Sequence, residues 1–468
     1  MYHIRKITVN NGKEGKKAFQ RQKKPDHYLP PLSASSLVWL SPNKGLTINM
    51  TYVLIYIDYK AIEKDTSIFD AAIFTAVFKN SAGRRSIVME EVLSRFVEVS
   101  TDPYTNLARW KESTGKKIIG CFPMRIPEEI IYASGMLPVV MWRGNEAVTL
   151  GHSYVHNFNC GLTRSFIDDV MKEKLDFMDG MIFYRSCLQA EEVPSTVELN
   201  APPRHFLYLY MPPLYHGAPF RDFLMHELKR MKQNVEEWSG QKITKGSLNN
   251  SIEVFNKNRS LLRRVYELRK KRPGTIKARE MQAIVHSSML MDKEEHSRLL
   301  ESLLPELEGR KEVIDGKKTR VILAGGLCQT IHTAILDLIE EIGMVVVDDD
   351  IYVGSRYFAN DATPGDDPLE SLADRYMKKT PPDPTMGDWE TLWTDYMVDE
   401  VRANDAKGII SLLIKFCPPH LCYYPDIRRR CVKEGIPEVM IEVEHEVVSL
   451  EQIRTRLQAF IEVVKGGV

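Results

Sequence analysis

The sequence predicts an α/β protein built from two doubly wound, mostly parallel-sheet domains that are joined by a helical connector. Short apolar runs alternate with helical patterns between residues 116 and 245, and the same alternation restarts at residue 317. Such alternation is typical of parallel sheets with helices on both faces. The stretch between the two regions is highly charged and helical in pattern. A chain of 468 residues is also too long for a single hydrophobic core.

The composition is that of an ordinary soluble globular protein. The formal net charge is +0 and 27% of the residues are charged, so neither nucleic acid nor an anionic membrane is expected as a partner. No run reaches the roughly 18 uncharged apolar residues that span a bilayer. The start of the chain lacks the apolar segment of a signal peptide. The seven cysteines are widely spaced, which favours a reducing compartment over a disulfide framework. We therefore expect a cytoplasmic protein.

The first part of the chain is expected to lie outside the two domains. Residues 1–50 are basic and show little apolar periodicity, which predicts a disordered extension. Met50 is an alternative start, in which case residues 1–49 are not made, and a transit peptide is the other interpretation. Residues 51–115 are expected to form a partly helical lead-in, because the apolar residues from Ile87 to Val97 follow the period of an amphipathic helix.

Residues 116–245 are predicted to form the first α/β domain, and residues 246–316 the helical connector. The predicted strands of this domain are 118–120, 137–142, 180–184 and 206–210, with helices at 127–135 and 161–175. The first of these helices opens with Pro127-Glu128-Glu129 and closes at Gly135, both of which are typical helix boundaries.

Residues 317–468 are predicted to form the second α/β domain. Its predicted strands are 320–324, 344–347, 408–416 and 439–443, and its predicted helices are 331–342, 426–433 and 450–464. Residues 361–390 are rich in Pro, Asp and Gly and predict an exposed loop. Neither domain contains a P-loop or a G-x-G-x-x-G sequence, so no nucleotide-binding fingerprint is present.

Three cysteines occupy positions at which an open α/β sheet holds its ligands. Residues 408–416 are an apolar run without a helical period, which is typical of a strand buried on both faces, and two prolines end it. Cys417 therefore lies at the carboxyl end of a strand, where such sheets bind ligands. Cys187 also follows a predicted strand. Cys160 precedes a helix, whose free N–H groups and dipole favour the thiolate.

These cysteines allow more than one interpretation. They could be buried structural thiols, because no local C-x-x-C spacing connects them. As metal ligands, three thiolates with no obvious fourth suit either an iron–sulfur cluster with one open iron or a zinc ion with a bound water. Cys121 follows a predicted strand and Cys328 follows a glycine pair, so either could supply a fourth ligand.

Several motifs follow one another in a fixed order along residues 115–468. They are Pro127 to Pro138, Asn159 to Ser165, Arg185-Ser186-Cys187, Asp349 to Arg356, Lys415 to His420, Gly435-Ile436-Pro437, Glu442-Val443-Glu444 and Glu451 to Leu457. In content and in order, this set resembles the 2-hydroxyacyl-CoA dehydratase and ATP-dependent benzoyl-CoA reductase family.

The resemblance implies that the chain is one subunit of a two-subunit catalytic component. In this family three cysteines, here Cys160, Cys187 and Cys417, hold a [4Fe–4S] cluster in the cleft between two α/β domains. The implied partners are a homologous second cluster-binding subunit, a separate ATP-hydrolysing iron–sulfur activator and an acyl-CoA substrate. An iron with an open coordination position can face the thioester carbonyl of that substrate, which suits chemistry through ketyl-type radicals. The separate activator accounts for the missing P-loop.

Within this family, the segment from Trp142 to Ser165 is more similar to benzoyl-CoA reductases than to dehydratases. We therefore expect an iron–sulfur subunit of an enzyme that reduces benzoyl-CoA, or another aromatic acyl-CoA, to a cyclic dienoyl-CoA. The alternatives are a subunit of a 2-hydroxyacyl-CoA dehydratase with the same cluster, a non-catalytic subunit that relays electrons, and a zinc protein. Cys121 stands where many members carry a small polar residue, which leaves the occupant of the cluster's fourth position open.

The same resemblance suggests catalytic side chains. Glu128 and Glu129 are candidate acid–base groups near the thioester, although acids in the first turn of a helix also complement its dipole. His152 and His156, together with His420, flank the cysteines and are candidate proton donors to a reduced ring. A position on the surface is the alternative for each histidine.

Three further features carry a functional and a structural interpretation. Tyr184 and Arg185 could orient the substrate or serve in packing. The basic residues from Arg259 to Arg272 could meet the phosphates of coenzyme A, or form a solvated helix face. The acidic run Asp348-Asp349-Asp350 could hold a divalent metal, or cap the turn that follows its strand.

Overall fold

The computed structural model describes most of the chain from residue 87 onward and three short strands before it. The described residues are 37–41, 45–50, 53–57, 87–142, 147–211, 218–315, 317–325, 328–378, 380–385, 392–446 and 449–466. The chain divides into two compact units, Met1–Arg85 and Ser86–Val468.

The N-terminal unit contains a three-stranded antiparallel sheet. Its strands are β1 (Leu37–Ser41), β2 (Gly45–Met50) and β3 (Val53–Ile57), with β2 in the centre. Ile48 of β2 pairs with Val38 on one side and with Ile55 on the other. The first two strands lie inside the extension for which the sequence predicts disorder. The prediction rests on the basic composition of the whole extension. Within it, a local run of β-branched and large apolar residues favours strands. Residues 1–36 lie outside the described residues.

The second unit begins with two helices, followed by the first of two parallel sheets. The helices are α1 over residues 87–101 and α2 (Pro103–Thr114). The strands are β4 (Ile118–Phe122), β5 (Leu137–Val140), β6 (Gly180–Tyr184) and β7 (Phe206–Leu209), in the order β5-β4-β6-β7. The helices between them are α3 (Glu128–Tyr132), α4 (Gly161–Met171) and α5 (Leu188–Asn200), with a 3₁₀ turn at Leu150–Ser153. Every residue of β4, β5 and β6 is buried, as their continuous apolar sequences predict.

Four long helices follow the first parallel sheet, and the last three lie largely within residues 246–316, the predicted connector. They are α6 (Ala218–Ser239), α7 (Lys245–Lys271), α8 (Ala278–Leu290) and α9 (Lys293–Gly309). Thr244 and Asp292 cap the N-termini of α7 and α9, because their side-chain oxygens accept hydrogen bonds from backbone N–H groups of the first turn.

The second parallel sheet follows the connector. Its strands are β8 (Thr319–Ala324), β9 (Met344–Asp350), β10 (Ile409–Ile414) and β11 (Glu438–Val443), in the order β11-β10-β8-β9. Its helices are α10 (Thr333–Glu341), α11 (Ser355–Phe358), α12 (Pro368–Lys378), α13 (Trp393–Ala403), α14 (Pro418–Glu434) and α15 (Leu450–Val464).

The two parallel sheets contribute to one extended apolar core. Leu323 and Val346 of the second sheet join this larger core, whereas their neighbours Ile322 and Val345 join a smaller core on the opposite face. Helices therefore cover both faces of the second sheet. With two four-stranded, all-parallel sheets flanked by helices, the predicted fold class is confirmed. The predicted domain boundaries stay a prediction, because Ser86–Val468 forms a single compact unit. Helix α7 packs against both α3 and β9, and so joins the two sheets.

In the second half of the chain, two helices differ from the sequence-based expectation. The expected loop at residues 361–390 contains α12, whose first turn is capped by Asp367 and whose Leu372 and Tyr376 side chains are buried. Helix α14 begins at Pro418, earlier than predicted, because proline is tolerated in the first turn of a helix. Among the described residues, no helix has the length and apolar character that a membrane crossing requires.

Candidate active site

The three cysteines that the sequence singles out occupy equivalent positions in the fold. Cys160, Cys187 and Cys417 are the N-cap residues of α4, α5 and α14. Cys187 lies shortly after the end of β6 and Cys417 shortly after the end of β10, so the first sheet and the second sheet both contribute. The carboxyl end of a parallel strand followed by a helix is the position at which such folds hold ligands.

These three cysteines lie close enough together to influence one another's ionisation. Burial raises the pKa of Cys160, and the neighbouring thiol of Cys187 raises it further. Burial likewise raises the pKa of Cys417, with additional increases from Cys160, Cys187 and the exposed Cys422. Because charges interact strongly in a protein only over short distances, the three thiols converge on one region.

Cys328 is the fourth member of this group. It follows β8, and burial raises its pKa well above the ordinary value, with further increases from Cys417, Cys187 and Cys160. Cys121, the other candidate for a fourth ligand, lies elsewhere. It is fully buried within β4, and the charged groups that act on its pKa after burial are Glu128 and Lys293. The sequence leaves the choice between Cys121 and Cys328 open, and the fold places only Cys328 with the other three.

We refer to Cys160, Cys187, Cys328 and Cys417 as the four-cysteine group. Two of its sulfur atoms form hydrogen-bond contacts with nearby side chains. Cys160 Sγ lies 3.8 Å from Thr163 Oγ1, and Cys417 Sγ lies 3.7 Å from His420 Nδ1. Among the described residues, no three metal-binding side chains stand at the spacing of metal ligands. The chemistry of the donor set nevertheless fits a thiophilic group, because soft thiolates are the ligands that iron–sulfur clusters and zinc prefer.

A cavity lies beside the four-cysteine group. It is lined by residues that follow β4, residues that follow β9, and residues in and after α12. They are Met124, Arg125, Ile126, Glu128, Tyr352, Arg356, Tyr357, Asn360, Arg375, Tyr376, Thr380 and Pro381. Arg125 links the cavity to the thiols. Its guanidinium group lies near Cys328 and lowers the pKa of that thiol, which burial raises. One strand end from each sheet therefore meets at this cavity, which we call the central cavity.

One wall of the central cavity is a stack of two arginines on a tyrosine. The guanidinium carbons of Arg125 and Arg356 lie 5.0 Å and 5.5 Å from the ring centroid of Tyr352. Asp383 forms salt bridges with both arginines and accepts a hydrogen bond from the Tyr352 hydroxyl. Asp350 also pairs with Arg356, at 2.7 Å. The two guanidinium groups of this wall are therefore balanced by two buried carboxylates. No local pattern in the sequence indicates the arrangement beyond the motif that ends at Arg356.

The two candidate acids of α3 lie in different surroundings. Glu128 lines the central cavity, and its Oε1 atom accepts a hydrogen bond from the Tyr357 hydroxyl at 3.0 Å. Burial raises the pKa of Glu128, although the Lys293 ammonium group, 3.5 Å away, acts in the opposite direction. Glu129 is not part of the cavity lining among the described residues. Burial would raise its pKa too, but the guanidinium groups of Arg259 and Arg375 hold that pKa below its ordinary value.

The structure places His152 and His156 away from the central cavity. Both are exposed, in and just after the 3₁₀ turn, where they line a surface groove with Leu188 and Glu191 of α5. His156 stacks on Phe158 with ring centroids 4.9 Å apart. The catalytic role predicted for these two histidines therefore stays a prediction, and it concerns the surface beside Cys187.

Other candidate residues have structural partners. His420 is buried, and burial together with Arg356 and Arg125 lowers its pKa to about 3, so its ring is neutral at physiological pH. Arg185 pairs with Glu191 at 3.0 Å, while Tyr184 is buried at the end of β6.

The two charged runs noted in the sequence are largely paired within the protein. Of the basic residues of α7, Arg263 pairs with Asp361 at 2.5 Å and Lys270 with Asp348 at 2.7 Å. The carboxylate of Asp349, the middle residue of the acidic run, accepts hydrogen bonds from Tyr266 and from the backbone of the following turn. These contacts favour the structural interpretation of both runs.

The comparisons with known proteins agree with this geometry. A family model described as 2-hydroxyglutaryl-CoA dehydratase, D-component, matches residues 123–464. The chain belongs to this family. The predicted family membership is therefore confirmed, and the match covers every strand of the two parallel sheets except β4, the whole lining of the central cavity and all members of the four-cysteine group.

Curated relatives include subunits of enzymes with two kinds of reaction. The (R)-phenyllactyl-CoA dehydratase beta subunit of Clostridium sporogenes is 28% identical over 374 residues, covering 80% of this chain and 98% of the relative. A benzoyl-CoA reductase subunit of Thauera aromatica is 27% identical over 371 residues, covering 77% and 95%. The (R)-2-hydroxyglutaryl-CoA dehydratase subunit beta of Acidaminococcus fermentans is 27% identical over 385 residues, covering 80% and 100%. Identity alone thus favours neither reaction.

Proposed function

We propose that this chain is the iron–sulfur subunit of an ATP-dependent, radical-type reductase that acts on benzoyl-CoA or another aromatic acyl-CoA. The observation that carries the proposal is that Arg125, which lines the central cavity, lies close enough to Cys328 of the four-cysteine group to act on its pKa. A redox group held by these thiols and a substrate bound in the cavity would be neighbours. The product would be a cyclic dienoyl-CoA.

In this proposal Cys160, Cys187 and Cys417 hold a [4Fe–4S] cluster, with Cys328 as the candidate for the fourth position. The convergence of their thiols from both sheets supports this ligand set. Such a cluster supplies single electrons at low potential when it is bound. Burial raises the pKa of Cys160 and Cys417 in the protein alone, and a cationic metal centre is the group that would favour their thiolate forms.

The lining of the central cavity supports an aromatic acyl group as substrate. Three tyrosines, Tyr352, Tyr357 and Tyr376, contribute to it together with Met124 and Ile126. Aromatic and apolar side chains of this kind bury a ring well and can stack against it.

Polar groups at the same cavity suit the proposed chemistry. The guanidinium groups of Arg125 and Arg356, which are paired with Asp383 and Asp350, line the cavity and would donate hydrogen bonds to a thioester oxygen that gains negative charge as an electron is added. Glu128 lines the cavity, and burial raises its pKa, which favours the protonated carboxyl group that would deliver a proton to a reduced ring.

The proposed partners are a homologous second cluster-binding subunit and a separate ATP-hydrolysing iron–sulfur activator. A hetero-oligomer is supported by the relatives, whose names each denote one subunit of a larger enzyme. We place the assembly in the cytoplasm, with neither nucleic acid nor a membrane as partner. A helper that hydrolyses ATP fits a chain whose sequence contains no P-loop.

A 2-hydroxyacyl-CoA dehydratase is the second candidate function. It is favoured by the description of the matching family and by the phenyllactyl-CoA dehydratase relative, whose substrate name also denotes an aromatic ring. The central cavity would then bind a hydroxyacyl-CoA, and Glu128 would move a proton during loss of water. The same cysteines would hold the cluster.

The deciding experiment is an anaerobic assay of the complete assembly with its activator, ATP and a reductant. With benzoyl-CoA, we expect consumption of electrons and formation of a dienoyl-CoA. Loss of water from phenyllactyl-CoA without net electron consumption, and no reduction of benzoyl-CoA, would replace the reductase by the dehydratase. Turnover of neither substrate would contradict both.

The metal content provides a separate test of the ligand set. We expect iron and sulfide in the anaerobically purified protein, and loss of both in the Cys160→Ser, Cys187→Ser and Cys417→Ser variants. Cys422→Ser, at an exposed position on α14, is the matched control and should retain them. A colourless protein that contains zinc and no iron would overturn the cluster proposal.

A further inference from the structure

Lys293 is a buried lysine beside the central cavity. Its side chain is only 2% exposed, although it lies in the first turn of α9, where Asp292 caps the helix. Burying an ammonium group is costly unless hydrogen bonds and opposite charges compensate for it. Here the backbone oxygen of Ser288 and the Tyr357 hydroxyl accept its hydrogen bonds.

A chain of hydrogen bonds leads from this lysine to the cavity. Lys293 Nζ donates to the Tyr357 hydroxyl oxygen at 2.5 Å, and that hydroxyl donates to Glu128 Oε1 at 3.0 Å. Glu128 and Tyr357 line the cavity, whereas Lys293 lies behind them. The three groups come from distant parts of the chain, and their donors and acceptors follow one direction toward the substrate space.

We propose that Lys293 and Tyr357 form a proton store that recharges Glu128. This inference rests on the proposed function, because it assumes that Glu128 gives a proton to a bound acyl-CoA. Lys293 is then a positioning residue: it does not touch the substrate and acts through Tyr357 and Glu128.

The proton balance of one turnover is simple. Glu128 gives its carboxyl proton to the bound acyl group and becomes a carboxylate. The Tyr357 O–H proton moves to Glu128, and an N–H proton of the Lys293 ammonium group moves to the Tyr357 oxygen, which leaves Lys293 as a neutral amine. After the product leaves, water in the open cavity returns one proton through Glu128 and Tyr357. No electron moves along this chain.

The surroundings of this hydrogen-bond chain bring the acidities of its two ends, Glu128 and Lys293, closer together. Burial raises the pKa of Glu128 and lowers that of Lys293, so the difference between an acid and an ammonium group shrinks. The other ionisable groups that act on Glu128 are its neighbour Glu129 and the paired Arg259, which oppose each other. A smaller difference in acidity lowers the free energy that proton transfer between the two ends needs.

The first test is an infrared titration of the anaerobically purified assembly without substrate. The C=O band of the protonated Glu128 carboxyl group is identified by its loss in Glu128→Gln. In Lys293→Met, which removes the nearby positive charge, we expect this band to persist to a pH higher by about one unit. Tyr357→Phe, which removes the hydrogen-bond donor, should shift it in the same direction. An unchanged titration in both variants would overturn the proposal.

The second test is steady-state kinetics with the substrate that the assembly turns over. We expect Lys293→Met and Tyr357→Phe each to lower kcat by about 10²-fold with little change in KM. The double variant should be no slower than either single variant, because both changes interrupt one chain. Losses that multiply in the double variant, or an unchanged kcat, would contradict a shared proton path.

Matched controls exclude a general loss of structure. Lys257→Met changes a lysine of α7 that is 54% exposed, and Tyr104→Phe changes a tyrosine that donates to the Asp169 carboxylate outside the cavity lining. Both controls should leave the infrared titration and kcat unaltered. If the wild-type assembly turned over no acyl-CoA, the proposed function would fail, and the infrared titration alone would then decide whether Lys293 and Tyr357 control the Glu128 proton.

Discussion

Glu128 and Glu129 are consecutive residues of one short helix, yet they belong to two different regions of the molecule. Glu128 faces the central cavity, where Lys293 is its nearest cation. Glu129 faces Arg259 of α7 and Arg375 of α12. Burial acts on both carboxyl groups, but it prevails only at Glu128, whose pKa is raised, whereas the two arginines lower that of Glu129. Glu128 forms a salt bridge with one cation and Glu129 with two, and this difference in direct pairing accounts for the opposite directions of their pKa shifts.

The largest expected effect is on stability, at Glu129. Its side chain is 1% exposed and that of Arg259 is 6% exposed, so Glu129→Gln leaves a buried guanidinium without its main partner. Removing one member of a buried pair costs about 3–5 kcal/mol. Urea unfolding of the purified protein should show this loss of free energy.

The control for this variant is Glu301→Gln, which interrupts the exposed pair between Glu301 and Lys257. Exposed pairs contribute little to stability, so this control should unfold at nearly the wild-type urea concentration. An equal loss of stability in the two variants would mean that the buried ion pair at Glu129 contributes no more to stability than the exposed pair at Glu301.

The next effect is on turnover, at Glu128. Glu128→Gln preserves the shape of the side chain and removes the proton that it can transfer, so kcat should fall by about 10²-fold or more. Stability should change far less than in Glu129→Gln. The assay of the assembled enzyme measures the first quantity and urea unfolding the second. Full turnover in Glu128→Gln would favour the non-catalytic, electron-relaying interpretation of this subunit.

A smaller effect concerns the pH dependence of stability, which should differ in sign between the two acids. Glu129 has a pKa below its ordinary value of 4.5, so the stability that it contributes is present above that value and is lost as the pH falls through the folded-state pKa. Glu128 has a raised pKa, so its contribution is present below 4.5 and is lost as the pH rises through the folded-state pKa.

Thermal unfolding between about pH 2 and 8 checks both signs, since this window extends well below and well above the ordinary carboxyl pKa. Glu129→Gln should flatten the acid side of the stability curve, and Glu128→Gln should flatten the loss of stability above pH 4.5. Parallel curves for the two variants would show that the two carboxyl groups share one environment.

The parts of the site that depend on local pattern can be predicted from the sequence. The apolar run before Cys417 indicates a buried strand, and the strand end locates the cysteine at the edge of a sheet. Cys187 follows from the same argument, and Cys160 from its position before a helix. Each inference needs only neighbouring residues, because strand ends and helix starts have local signals.

The partners that tertiary packing selects cannot be predicted in this way. Lys293 lies in a highly charged stretch, in which nothing distinguishes it from the exposed Lys257. It lies beside the cavity only because α9 packs against α7, and Tyr357 reaches it from the segment that follows β9. Cys328 is an intermediate case: the sequence names it as a candidate after a glycine pair, but only the fold separates it from Cys121.

The smallest effect is expected at His152 and His156, which the sequence places beside the cysteines. Both are exposed and line a surface groove rather than the central cavity. His152→Asn and His156→Asn should therefore leave kcat nearly unchanged, because an exposed side chain outside the cavity cannot reach a substrate bound within it. Assays of the single variants and of the double variant measure this directly. A loss of kcat as large as that of Glu128→Gln would place proton transfer at the groove beside Cys187, and the contrast between Glu128 and Glu129 would then describe packing and not catalysis.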